Sequence, residues 1–133
     1  MLPKIHALWD GDESRPEVSV SGTWDELSRL GVFLTRIETA VTLTLEPRVS
    51  KFYSMCLRRL TIEPSGGEGR IEVEVVADTL RIRGGAKALA ALAQSLLDFF
   101  EGGANAGSHF HLDYYEGNEL LEPTQCALIF EAE

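Results

Sequence analysis

Ser108-His109-Phe110-His111-Leu112-Asp113 is the densest run of potentially reactive side chains in the chain. Side chains alternate along a β-strand, so His109, His111 and Asp113 share one face and Phe110 and Leu112 the other. Two imidazoles and a carboxylate on one face begin a zinc or iron site. Completing it takes further ligands, for which Glu116, Glu119 and Cys126 are candidates. The same triplet also reads as a polar sheet face turned to water or to a second subunit. Nucleophilic catalysis would need Cys126 or a serine beside a histidine. Cys126 opens an apolar stretch, where cysteines are usually inert core residues. The chain carries no Gly-x-Ser-x-Gly elbow, Walker loop, His-Glu-x-x-His or dinucleotide fingerprint. The residues therefore read as a non-enzyme, with a divalent metal as the one cofactor they could hold.

The elements that must position this strand are legible from spacing. Thr23-Trp24-Asp25-Glu26 is a capping box, and Leu27, Leu30, Leu34 and Ile37 follow it as one helical stripe. A second helix opens after Gly84-Gly85, carries Leu89, Leu92, Leu96 and Phe99, and stops at Gly102-Gly103. Alternation predicts strands at Ile5-Ala7-Trp9, Val18-Val20, Val41-Leu43-Leu45, Ile71-Val73-Val75 and Leu80-Ile82. Leu60–Ile62 and Leu128–Phe130 read as closing strands, and Asp10-Gly11 as a turn.

These elements come twice in the same order. Gly22, Leu27, Leu30 and Leu34 stand 62 residues before Gly84, Leu89, Leu92 and Leu96. Offsets of 66 for the first strand, 67 for the third (Leu43 and Leu45 to Phe110 and Leu112) and 68 for the last complete the match. The expectation is an internal duplication within one α+β domain spanning 1–133, with ββαββ repeats at 1–65 and 66–133. The joint is Pro64-Ser65-Gly66-Gly67. One repeat alone would leave a sheet face bare, so both should combine into mostly antiparallel sheet with two helices. Each strand-helix-strand step is expected to cross over right-handed.

The chain has 133 residues, 12 of them Lys or Arg and 21 Asp or Glu, a net charge of −9. That acidity disfavours nucleic acid and anionic membrane surfaces as partners. The bias sits in the second half: residues 1–66 hold 8 basic and 9 acidic side chains, residues 67–133 hold 4 and 12, and none after Lys87 is Lys or Arg. Such single-sign surface steers basic partners, and it also serves solubility. No apolar run is long enough for a signal sequence or membrane span, and two cysteines make no disulfide framework. The expected location is the cytoplasm, with both thiols reduced.

Tyr114-Tyr115 lie in a long connection between the histidine strand and the last strand, among Glu116, Glu119 and Glu122. Aromatic anchors with polar surrounds suit a binding surface. The partner-binding set read from these patterns is His109, His111, Asp113, Tyr114, Tyr115, Glu116 and Glu119. Arg48, Lys51, Arg58 and Arg59 form a basic counterpart that could meet the acidic loop of a second copy, as a homodimer.

The strand-helix-strand-strand unit with His109-Phe110-His111-Leu112, then Gly117, Glu119 and Leu120, resembles the immunity protein 32 family over about residues 78–133. The chain departs from it in having Tyr114-Tyr115 and no tryptophan beside the glycine, and its first half lacks the histidines. The resemblance implies a small bacterial, cytoplasmic, non-enzymatic protein associated with polymorphic toxin systems. Its acidic half would then cover a basic toxin surface. Two other readings stand beside it: a metal-binding protein or metal-dependent enzyme using His109, His111 and Asp113, and a homo-oligomeric scaffold with the histidine face as its interface.

Overall fold

The computed structural model describes residues 2–65, 69–103 and 105–133. Gly66 and Gly67 of the expected joint lie outside these residues. The described chain runs β1 (His6–Trp9), β2 (Glu17–Gly22), α1 (Trp24–Thr35), β3 (Val41–Thr44), β4 (Met55–Leu57), β5 (Arg59–Pro64), β6 (Glu72–Val76), β7 (Thr79–Gly84), α2 (Ala86–Phe100), β8 (His109–Leu112) and β9 (Ala127–Ala132). The fold is α+β. No helix among the described residues is long and apolar enough to cross a membrane.

The helix signals act where expected. Thr23 accepts a hydrogen bond from the Glu26 amide and caps α1. The Glu26 carboxylate reaches back to the Lys4 amide, tying the helix start to the segment before β1. Gly102 and Gly103 take positive φ after α2, the left-handed region that a Cβ disfavours. The stripe on α2 ends differently from its i+3 reading: Phe100, four residues after Leu96, is fully buried, and Phe99 is exposed. At 3.6 residues per turn either neighbour continues the row.

The strands form two sheets, ordered β4-β1-β2-β9-β8 and β3-β5-β7-β6. Each is drawn from both halves. Setting β4 aside, the first reads β1-β2-β9-β8 and the second, reversed, β6-β7-β5-β3. These are equivalent strands in equivalent places. At the centre of each sheet a parallel pair joins the halves, β2 with β9 from Glu17↔Ala127 to Gly22↔Ala132, and β5 with β7 from Arg59↔Thr79 to Pro64↔Gly84. The remaining pairs are antiparallel. Apart from β4, each half thus gives its first hairpin to one sheet and its later strands to the other.

Two expectations change. The strands flanking each helix lie in different sheets, so neither helix makes a crossover within one sheet. The third-strand match also shifts. Val41 pairs with Ile62 and Leu43 with Leu60, as Phe110 pairs with Phe130 and Leu112 with Leu128. The equivalents are Val41 and Leu43, at an offset of 69. A two-residue slip leaves the in-out alternation unchanged, so the pattern alone could not detect it.

The buried faces of both sheets and both helices share one apolar cluster. The helices meet at Gly31 of α1 and Ala93 of α2, again 62 residues apart. A Cβ built on Gly31 would stand 3.2 Å from the Ala93 carbonyl oxygen and 3.0 Å from Leu97 Cγ. The small residue is what allows the axes to approach this closely.

The halves diverge in the segment before their last strand. Residues 46–54 form a strap that leads into β4, on the edge of β1. Residues 113–126 instead cross to the other sheet, where Leu121 bridges Ile71. Buried Asn118 organises that crossing: its Oδ1 accepts from the Leu120 and Leu121 amides at 2.8 and 3.0 Å, and its Nδ2 donates to the Asp113 carbonyl. Arg70 clasps the outside, donating to the Asn118 carbonyl and pairing with Glu122.

Candidate functional site: the outer face of the five-stranded sheet

Alternation sends Val18, Val20, Leu128 and Phe130 into the core and their neighbours outward. Cross-strand pairing then sets the outward residues in rows. One row runs His109–Glu131–Ser21–His6, and the next His111–Ile129–Ser19–Leu8–Cys56. All three histidines of the chain therefore stand on one sheet face, two at one side and His6 at the other. His6 was not readable as a member from sequence, because only the parallel β2–β9 pairing carries the row across.

His109 and His111 are exposed, with ring centroids 4.9 Å apart in an edge-on arrangement. His109 Nδ1 donates to the Gly107 carbonyl at 3.0 Å. Donation to a carbonyl requires the hydrogen on Nδ1. His111 Nδ1 stands 3.7 Å from Asp113 Oδ2. Among the described residues no group of three or more His, Cys, Asp or Glu could hold a metal ion. Cys126 is buried, and burial pushes its thiol up to about 11, helped by nearby Asp10 and Asp113. At neutral pH it is a protonated core thiol rather than a nucleophile.

The other predicted residues separate. Tyr114 is half-buried and packs on the core edge, where it lines an open cleft of ≈ 370 Å³ with Asp10, Glu17 and Asp113. Tyr115 is 66% exposed, and Glu116 and Glu119 are exposed on the same loop. Leu120 and Leu121 turn inward. The basic segment from Arg48 is partly committed within the chain: Arg48 pairs with Glu133, and Arg59 with Asp78.

The strap covers the middle of the face. His6 Nδ1 donates to the Glu46 carbonyl at 3.0 Å, Tyr53 donates its hydroxyl to Glu17 Oε2 at 3.0 Å, and Ser54 Oγ donates to the Asp10 carbonyl. Burial and the Glu17 carboxylate, with Glu131 and Asp10 behind it, push the Tyr53 phenol up to about 12. At its crest Val49 and Phe52 are 98% and 89% exposed. Between strap and sheet lies a cleft of ≈ 300 Å³ floored by Leu8, Ser19 and Ser21 and flanked by Glu131. Sequence reasoning missed it. Its only advance signal was two serines, Ser19 and Ser21, alternating with Val18 and Val20.

Chemically the face offers hydrogen-bonding and ionic groups, with apolar side chains at its crest. Such a surface is suited to contact. No curated protein and no solved structure matches the chain. Residues 79–132, which run from β7 through α2 and β8 to β9 and so supply the histidine strand, match the family described as immunity protein 32.

Proposed function

We propose that this chain is an immunity protein, a bacterial cytoplasmic protein that binds a toxin and blocks it without catalysis and without a cofactor. The observation that carries the reading is the match of residues 79–132 to immunity protein 32. The exposure of His109, His111, Asp113, Tyr115, Glu116 and Glu119 supports a partner surface at the β8 edge and its loop, with half-buried Tyr114 beneath. The charge distribution supports a basic partner, since the acidic groups of this surface have no Lys or Arg after position 87 among them. Attraction between exposed charges is screened within about 8 Å at physiological salt. Association is therefore expected to weaken as salt rises.

The test is co-expression with the product of the adjacent gene. That product alone should arrest growth, and the two together should restore it and co-purify. A product that is harmless and forms no complex would refute the reading. Binding that is indifferent to salt would remove its electrostatic part.

A further inference from the structure

Ser21 is 4% exposed, and its hydroxyl has no hydrogen-bond partner among the described residues. It lies on the floor of the strap cleft. A buried hydroxyl left without a partner costs about 1–3 kcal/mol, so such groups are rare without a reason. Beside it on the neighbouring strand, Glu131 is half-buried and its carboxylate forms no hydrogen bond or ion pair among the described residues. Around them the side chains sort into three roles. Leu8 gives an apolar floor, and Phe52 and Val49 give apolar walls open to solvent. Arg48 has its charge taken by Glu133. Glu17, Glu131 and Asp10 set carboxylates around Tyr53, and after burial they add to the rise of its phenol. Lys51 is the one lining cation without an ion pair among the described residues, and it is exposed.

We propose that the strap cleft receives a cationic side chain, an arginine or lysine of the protein partner, with its aliphatic stem against Leu8 and Phe52 and its head donating to Glu131 and Ser21. A guanidinium fits this set best, because its several N–H donors can serve a carboxylate and a hydroxyl together while its plane lies along an aromatic ring. The inference rests on the partner-binding reading above and deepens it, by naming what the partner inserts.

The probe is acetyl-Gly-Arg-Gly-amide, with the citrulline peptide as its uncharged isostere, followed by amide NMR on the full chain. The arginine peptide should give saturable shifts at Leu8, Ser19, Ser21 and Glu131, and the citrulline peptide should not. Glu131→Gln should weaken binding about tenfold or more, as loss of a close charge partner does. Lys51→Gln should tighten it. Unshifted amides elsewhere in both variants verify that the fold is kept. Equal shifts with citrulline, shifts confined to Glu116 and Glu119, or no saturable shift would each overturn the proposal. Tighter binding in Glu131→Gln, or weaker binding in Lys51→Gln, would also overturn it by reversing the sign of the site. Growth rescue separates the two levels. Full rescue by Glu131→Gln with the adjacent gene product refutes the cleft and leaves the immunity reading standing, whereas failure of the unmodified chain to rescue refutes the immunity reading itself.

Discussion

Gly31→Ala puts two effects of known sign against each other. In an unobstructed helix the change stabilises by about 1 kcal/mol, because alanine gives up less backbone freedom on folding. Here the added methyl would stand 3.0 Å from Leu97 Cγ, 3.2 Å from Leu97 Cδ2 and 3.2 Å from the Ala93 carbonyl oxygen. Carbon pairs prefer about 3.5–4.0 Å, so α2 has to retreat by several tenths of an ångström. Leu97 can rotate, but the Ala93 carbonyl belongs to helix backbone and cannot. Overpacking of this kind costs about 1–3 kcal/mol. The expected net is a loss of up to about 2 kcal/mol, a fall of several degrees in Tm for a chain of this size. Urea unfolding with an unchanged m-value is the assay. Leu97→Ala in the Gly31→Ala background should recover about 0.5 kcal/mol or more as a coupling energy. A Gly31→Ala variant more stable than the parent by the full helix-propensity gain would refute the close crossing. So would zero coupling to Leu97.

Four further outcomes follow from the same geometry. Asn118→Ala should cost about 2–3 kcal/mol, since it strands the Leu120 and Leu121 amides; a change under about 0.5 kcal/mol would mean that the loop is not held there. Tyr53 should titrate near 12, and Tyr53→Phe should delete that phase of the tyrosinate absorbance. Because the folded state holds this proton more tightly, the contribution of Tyr53 to stability is complete below its unfolded value of about 10 and is lost as pH rises through about 12. Iodoacetamide at pH 8 should modify Cys126 about a hundredfold more slowly than a free cysteine, in proportion to thiolate fraction, until the protein is unfolded. Fragments 1–65 and 70–133 should each be unfolded alone and regain native circular dichroism when mixed; a folded single fragment would contradict the shared sheets.

Local structure was the part written most plainly in the residues. Thr23, the Leu27–Leu34 row and Gly102-Gly103 each declare an element through contacts made within a turn or two. The alternating strands were equally legible, and a parallel pair stands at the centre of each sheet, β2 with β9 and β5 with β7. Sheet membership was not legible. Nothing in Val18-Ser19-Val20 says that its neighbour is Leu128-Ile129-Phe130 rather than a strand of its own half, because both are apolar-alternating and register depends on the whole core. The candidate site suffered for that reason. His109, His111 and Asp113 were found because they are adjacent in sequence. Glu131 joins them through the antiparallel β8–β9 pair, but Ser21 and His6 join only through the β2–β9 pairing, in which Ser21 meets Glu131. The strand at Met55–Leu57 was hidden by its shortness and by the charged segment around it.

The exchange of strands between halves sets a timetable for synthesis. β1 and β2 are complete early, but β2's inner neighbour is β9, at residues 127–132. On the ribosome the first hairpin must wait for nearly the whole chain before its sheet can close. Until then it presents an open edge with buried-type residues such as Val18 and Val20 beside it, the kind of edge that pairs with other chains. Contacts this distant in sequence also slow folding, since a long loop must close before they stabilise anything. The four-stranded sheet closes sooner, when β7 emerges at residue 84 to meet β5. The nascent chain would then carry one finished sheet and one waiting hairpin, and its solubility in that interval would rest on the acidic groups at 10–17 beside the unpaired strand.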